Sequence, residues 1–369
     1  DNLKLPEFRY ILAKNGNTKL EPDFTISAGA TSIKIEGLDR FVHLKDLRLV
    51  QFNAALKSAS AFKCSNPYFN QLYEITKKAY QRYCFHFPAD PSREKQGWTQ
   101  DAQNMFSSAS YLFDVRTFYK NWWQDMADNQ DDQGYLGSVV PLANRQAYDW
   151  DSPWWSGAIV YLPWAYYNKY GDSDFLIKAY NPMSRYVDFL QRMTSTGSGT
   201  FWNAYPYFSE NLNTDSAKSQ MMVWNGAGDW QNPYTNSQFA VSAPQTTMPA
   251  FYLYAKVVAK AAAFKGDKIK AAHYHYLASE IKERFEKKYF NPETGMYGLD
   301  PENQTALILP LALGMVASLN QNKLNQRLRD AIKLRYNHIG TGFVASSFLL
   351  YQLAKNRDSK TANLRVNKK

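Results

Sequence analysis

The residue types that suit acid–base chemistry lie together in one short stretch. Asp90, Glu94 and Asp101 fall within twelve positions, and Arg93 and Trp98 lie between them. A proline and a glycine in the same stretch disfavour a helix, so the sequence predicts a loop presented by a rigid scaffold. Acid-catalysed cleavage of an acetal needs a carboxyl group that stays protonated near neutral pH, and a tryptophan and neighbouring carboxylates favour that state. A structural interpretation explains the stretch equally well, with Asp101 as the N-cap of the next helix and Arg93 paired to Glu94.

Other aromatic and polar residues are weaker site candidates. Trp154 and Trp155 could line the mouth of a pocket, and a role in capping and core packing explains them equally well. Asp229 and Trp230 adjoin on a glycine-bearing segment and are the better candidates, because an acid and an indole together suit a sugar ring and its hydroxyls. His338 could bind a hydroxyl, although a structural role is favoured.

The cysteines and histidines point to neither a disulfide framework nor a metal site. Cys64 and Cys84 are the two cysteines of the chain, and they permit one optional bridge. His273 and His275 lie two positions apart on a predicted helix, where they cannot share a face. The glycine- and aspartate-rich runs lack the spacing of a phosphate loop or a calcium loop.

The composition indicates a globular protein with a large core. Hydrophobic residues make up 45% of the 369 residues and aromatic residues 16%. The net charge of +10 could steer an acidic partner. The basic residues are scattered, however, so a solvated surface is favoured and no nucleic-acid partner is predicted. The longest apolar run, residues 306–317, is shorter than the ~20 residues of a membrane helix, so no membrane span is predicted.

Short β-forming runs precede residue 60, and helical periods follow it. We predict strands at 8–12, 31–36 and 47–52 and interpret residues 1–60 as the C-terminal part of a β-sandwich domain, since so few strands leave an apolar face uncovered. Residues 61–356 are predicted to be a helical domain, and residues 357–369 a polar, basic tail. The ten predicted helices begin with one capped by Asn66 and continue over 101–113, 116–128, 155–170, 174–193, 246–264, 267–289, 304–319, 323–335 and 343–355.

The alternation of short turns and long loops favours a particular arrangement of these helices. Helices of this length, joined in this way, fit a toroid of paired helices whose long loops gather at one mouth. The sequence therefore predicts a mainly α fold in which the candidate residues share that mouth.

The stretch from Pro91 to Asp101 resembles a known signature. Pro91-Ser92-Arg93-Glu94-Lys95, continuing through Gly97-Trp98 to Asp101, is similar to the signature of bacterial α-L-rhamnosidases, glycoside hydrolase family 78. The resemblance covers about residues 60–355. Further matching segments are 62–67, 171–172, 228–230, 304–305 and 338–343.

The resemblance implies an (α/α)6 barrel and an inverting, exo-acting hydrolase of terminal rhamnose without metal or organic cofactor. It implies that Glu94 is the general acid and that Trp98 and Asp101 belong to the rhamnose pocket. The family usually has an acid five positions before the catalytic glutamate. Here that position is Ala89, and Asp90 follows it, so the role of Asp90 is not carried over directly.

Inverting cleavage needs a second carboxylate as general base. The family's base lies well beyond the element matched by residues 341–343, and the tail that ends at Lys369 resembles nothing there. The sequence therefore predicts a chain without its base and a barrel left open at the C-terminus. Two other interpretations stay open: an inactive carbohydrate-binding remnant, and a related barrel hydrolase acting on acidic rhamnose-containing polysaccharide. The implied location is secreted or periplasmic, with no signal peptide in this chain.

Overall fold

A computed structural model describes residues 34, 36–37, 53–89, 96–141, 152–196, 228–233, 241, 243–297 and 303–356. The strands predicted at 8–12 and 47–52, most of the strand predicted at 31–36 and the tail 357–369 lie outside the described residues. So does most of the segment interpreted as a β-sandwich.

The described part of the chain is almost entirely helical. Its helices are α1 (Pro67–Tyr83), α2 (Thr99–Leu112), α3 (Arg116–Asn129), α4 (Pro153–Ser156), α5 (Ala158–Tyr170), α6 (Ser173–Lys178), α7 (Tyr180–Thr196), α8 (Ala243–Phe264), α9 (Lys268–Tyr289), α10 (Gln304–Leu313), α11 (Ser318–Leu334) and α12 (Phe343–Lys355). One small antiparallel hairpin, β1 (Phe290–Asn291) with β2 (Met296–Tyr297), lies between α9 and α10. The sequence did not predict this hairpin.

Local capping signals set several helix ends where the sequence predicts them. Asn66 accepts a hydrogen bond from the N–H of Tyr68 at 3.0 Å, and Pro67 is the first residue of α1. An asparagine cap followed by proline satisfies or removes the free N–H groups of a first turn. α12 spans the predicted range 343–355 at both ends.

Other boundaries differ from the prediction for identifiable reasons. The range 155–170 is divided at Gly157, where the ring of Tyr254 occupies the space of a β-carbon. The range 174–193 is divided at Ala179, after a short helix that Asp172 caps. The prediction of one helix over 304–319 was wrong, because Gly314 adopts a left-handed conformation and ends α10.

The helices form two layers, as the predicted toroid requires. Among the described helices, α2, α5, α8, α10 and α12 form an inner layer in which each contacts the next. α3, α7, α9 and α11 lie outside and contact α5, α8, α8 and α10 respectively. α10 is apolar on every side, and all of its residues from Gln304 to Leu311 are buried. In the described part of the chain, no helix is both long and apolar enough to cross a membrane.

The first and last inner helices touch at one end. Asn104 of α2 donates a hydrogen bond from its side-chain nitrogen to the carbonyl oxygen of Phe343, the first residue of α12, at 3.0 Å. The sequence predicts an open barrel, and at this end α2 and α12 are in direct contact. Towards its other end α12 exposes Leu350 and Tyr351.

Many of the aromatic residues belong to the core. The indole N–H of Trp122 donates to the Val140 carbonyl at 3.0 Å, and that of Trp123 to the Ile159 carbonyl at 2.9 Å. A buried indole needs such a partner for its one polar group. These two rings therefore join α3 to α5 and to the segment that contains Val140.

Candidate active site

The N-terminal ends of the inner helices meet at one end of the molecule. Long stretches of sequence separate α1 from α2, α3 from α4, α7 from α8, α9 from α10 and α11 from α12, and α4 leads directly into α5, whereas short turns follow α2, α5, α8 and α10. We call this end the mouth. Helix N-termini carry partial positive charge, so this end favours the carboxylates that lie there.

The short helix α4 is bound to α8 and lies against the start of α12. The indole N–H of Trp154 donates to the carbonyl of Thr246 in α8 at 2.7 Å. The hydroxyl of Tyr254 donates to the carbonyl of Pro153 at 2.9 Å. The ring of Trp155 lies 6.4 Å from that of Phe343, centroid to centroid. Among the described residues, α4 and the starts of α8 and α12 therefore lie close together, and the gathering of the long loops at one mouth stays a prediction.

Main-chain contacts with residues 138–140 hold Trp98 at the start of α2. It forms an antiparallel bridge with Val139, and the N–H and hydroxyl of Thr99 donate to the Ser138 carbonyl at 3.0 and 2.9 Å. Gly97 accepts a hydrogen bond from the N–H of Val140 at 2.9 Å. The half-buried indole of Trp98 also packs against the core. Its position is thus set by main-chain contacts.

Asp101 lies in the first turn of α2. The N-cap of this helix is Trp98, so the alternative interpretation of Asp101 as the N-cap does not hold. Burial raises the pKa of the neighbouring Tyr83 phenol, and the charge of Asp101 raises it further. Tyr83 therefore stays protonated at neutral pH. The carboxylate of Asp101 therefore lies near a buried, neutral phenol of the core.

The carboxylate of Asp229 is buried and accepts five hydrogen bonds. The donors are the N–H groups of Gly342, Val344 and Ala345, the side-chain amide of Asn232 and the hydroxyl of Thr305. The distance is 2.7 Å for Gly342 and 3.0 Å for Val344, Ala345 and Asn232. These contacts join the segment 228–233 to the N-terminal ends of α10 and α12.

Trp230 and His338 are the more exposed candidates. The side chain of Trp230 is 39% exposed, and its carbonyl oxygen accepts from the N–H of Phe343 at 2.6 Å. His338 is exposed, and its carbonyl oxygen accepts from the side chain of Gln304 at 3.1 Å. Trp230 therefore lies beside the start of α12 at the mouth, and His338 lies next to the start of α10.

Trp154 and Trp155 lie in the core. Trp154 is 1% exposed, and its ring contacts those of Tyr254 and Phe348. Trp155 is also buried. The structure supports the core interpretation that the sequence left open, and contact of either ring with a sugar stays a prediction.

Asp90, Arg93 and Glu94 lie outside the described residues. The chain on either side of them is described: Ala89 donates its N–H to the Tyr83 carbonyl at 3.0 Å, and Gly97 lies against Val140. Their roles stay predictions.

Three comparisons with known proteins bear on this arrangement. The family described as the bacterial α-L-rhamnosidase six-hairpin glycosidase domain matches residues 57–369. The chain belongs to this family. An α-L-rhamnosidase of Formosa agariphila is 27% identical over 350 residues, which are 92% of this chain and 34% of that protein. One of Alteromonas is 23% identical over 92% of this chain and 35% of that protein.

Solved rhamnosidases share the fold. The α-L-rhamnosidase from Dictyoglumus thermophilum superposes with a TM-score of 0.71 at 26% identity, over 86% of this chain and 33% of that one. The Streptomyces avermitilis enzyme, solved in complex with L-rhamnose, gives 0.70 at 22% identity, over 84% of this chain and 27% of that one. The chain thus spans about a third of the length of these rhamnosidases, and the resemblance to the family that the sequence indicates is confirmed.

Two polar residues of the mouth were not predicted as site residues. Asn104 lies three positions after Asp101, so the two share one face of α2, and this spacing could have found it. Thr305 belongs to a segment that resembles the family, but nothing in its spacing indicates that its hydroxyl contacts Asp229.

Proposed function

We propose that the mouth binds a terminal α-L-rhamnosyl residue and that the protein containing this chain hydrolyses its glycosidic bond. The observation that supports the proposal is that Trp98, Asp101 and Trp230 each lie at the N-terminal end of an inner helix, in a chain of the rhamnosidase family. The indoles would pack on the ring and methyl group of rhamnose, and Asp101 would accept hydrogen bonds from its hydroxyls.

In the proposed reaction Glu94 is the general acid. It donates its proton to the glycosidic oxygen as the bond from that oxygen to the anomeric carbon breaks. A water molecule attacks the anomeric carbon from the opposite face and loses its proton to a second carboxylate, which inversion places ~6.5–9.5 Å from the first. We assign no residue of this chain to that base. Asp90 and Arg93 are proposed to lie beside the bound sugar.

The experiment is the substitution Glu94→Gln in a version of the chain extended to the length of its relatives. The amide keeps the shape of the side chain and has no acidic proton, so hydrolysis of an aryl α-L-rhamnoside should fall ~10²–10⁴-fold. L-rhamnose binding, measured by calorimetry, should stay within about threefold of wild type. The control is Glu283→Gln, an exposed glutamate on the outer helix α9, which should leave both unchanged.

Retention of more than about half of the activity in Glu94→Gln would identify another acid and refute the assignment. The 369-residue chain alone is expected to bind rhamnose without releasing product, because no base is assigned within it. Steady turnover by that chain would require a base among its own acids. A secreted or periplasmic location and domain boundaries at 60 and 356 stay predictions.

A further inference from the structure

Asp229 lies on a short segment that touches two inner helices. The segment 228–233 precedes α8 in sequence, yet Asp229 contacts Thr305 at the start of α10 and three amides at the start of α12. These partners are between 76 and 116 residues away along the chain. One side chain therefore connects three separate parts of the mouth.

The chemistry of this contact suits a carboxylate. The first N–H groups of a helix have no partner within the helix, and they carry its partial positive charge. A carboxylate is an acceptor only, with about four lone-pair directions on two oxygens. Five donors already point at it, so no acceptor position is left for a sugar hydroxyl.

The backbone of Asp229 and Trp230 packs closely against Gly342 at the start of α12. A β-carbon placed on Gly342 would lie 2.3 Å from the Asp229 carbonyl oxygen and 2.5 Å from that of Trp230. The Trp230 carbonyl also accepts from the N–H of Phe343. The position of Trp230 at the mouth therefore follows from how Asp229 and its neighbours hold the start of α12.

We propose that Asp229 is a positioning residue that acts through Trp230. Its carboxylate clamps the N-terminal ends of α10 and α12 to the segment 228–233 and so holds the indole of Trp230 where the sugar binds. This rests on the proposed function and replaces the earlier expectation that Asp229 binds a hydroxyl of the substrate directly.

The main test is Asp229→Asn. In either orientation the new amide nitrogen faces N–H donors that previously had an acceptor. The contacts between residue 229 and the start of α12 should therefore weaken. Amide hydrogen exchange of peptides covering 342–345 should become roughly tenfold faster or more. The dissociation constant for L-rhamnose should rise by a similar factor, with a smaller change in the turnover number of the extended chain.

A double-mutant cycle separates positioning from direct contact. If Asp229 acts through Trp230, Asp229→Asn should weaken L-rhamnose binding little further in a Trp230→Ala background. If the two effects on binding are independent, Asp229 contacts the sugar itself and the proposal fails. The control is Asp172→Asn: Asp172 also caps a helix, α6, away from the mouth, and this variant should leave the rhamnose dissociation constant unchanged.

Thr305→Val is the milder variant should Asp229→Asn fail to fold. It removes one donor and keeps the shape of the side chain, so it should speed exchange at 342–345 and weaken rhamnose binding to a smaller extent. Unchanged exchange in the folded variants would overturn the clamp. If the wild-type protein does not bind rhamnose, the proposed function fails, and the exchange data still decide whether Asp229 holds α12.

Discussion

Gly97→Ala perturbs the mouth by the addition of a single methyl group. The β-carbon would lie 1.9 Å from the carbonyl oxygen of Val140 and 2.8 Å from its carbonyl carbon. Ordinary contact begins near 3.4 Å, so the two segments must separate by about 1.5 Å. The same Val140 oxygen accepts the indole N–H of Trp122, and this contact limits how far it can move.

The expected loss of unfolding free energy follows from the hydrogen bonds that this separation breaks. Val140 N–H to the Gly97 carbonyl and Thr99 N–H to the Ser138 carbonyl are buried main-chain hydrogen bonds of 2.9 and 3.0 Å. Loss of two such bonds should lower the free energy of unfolding by about 2–4 kcal/mol. Because Trp98 lies between them, its displacement by ~1 Å should also weaken L-rhamnose binding and, in the chain extended to the length of its relatives, reduce hydrolysis of an aryl α-L-rhamnoside on the order of 10²-fold.

The assay compares Gly97→Ala with Gly171→Ala. Gly171 has a φ of +72° and no atom within 4 Å of its missing β-carbon, and it lies at the end of α5 away from the mouth. Alanine there should cost roughly 1–2 kcal/mol of unfolding free energy through backbone strain alone. Urea unfolding and L-rhamnose affinity are measured for both variants. We expect Gly97→Ala to lose stability and affinity and Gly171→Ala to lose stability alone. Wild-type stability and affinity in Gly97→Ala would refute the reasoning.

Two further predictions concern groups away from the mouth. Cys84 is buried, which raises the pKa of its thiol to about 12, whereas Cys64 is partly exposed. A thiol reagent should therefore label one equivalent in the native protein and two after unfolding, and Cys64→Ser should abolish native labelling. The bonds that Asp172 accepts from Lys120 and from the first turn of α6 lower the pKa of its carboxyl group. The stability they provide is present above the ordinary aspartate pKa of ~3.9 and is lost as the pH falls through the lowered value. The unfolding free energies of wild type and Asp172→Asn should differ by about 1 kcal/mol at pH 7, and this difference should begin to shrink near pH 4 and disappear only below the lowered pKa of the folded protein. A difference that stays constant down to that pH would contradict the assignment.

The helices could be predicted from the sequence because their signals are local. Asn66 and Pro67 mark the start of α1, and periodic apolar residues reveal the long helices. The errors occur where a contact from elsewhere decides the outcome. Gly157 divides a predicted helix at the point where Tyr254, almost a hundred positions later, occupies its side-chain space. A contact between residues so far apart in sequence cannot be predicted from the residues around Gly157 alone.

The candidate site was less accessible from the sequence. Asp101 and Trp98 share one loop and helix start, so their proximity follows from spacing. The role of Asp229 depends on its partners on α10 and α12, which are distant in sequence and donate mainly through backbone amides that have no residue signature. Trp154 is a residue type that often packs on sugar rings, yet it lies in the core, where its indole N–H donates to a carbonyl of α8.

L-rhamnose titration of the 369-residue chain, followed by calorimetry, tests the central claim that the mouth is a rhamnose site. We expect saturable binding with one site per chain. Trp98→Ala and Trp230→Ala should each raise the dissociation constant roughly tenfold or more, since each removes a large apolar surface worth about 1.5–3 kcal/mol when buried. Absence of saturable binding by the folded wild-type chain, or binding that neither substitution weakens, would contradict the account.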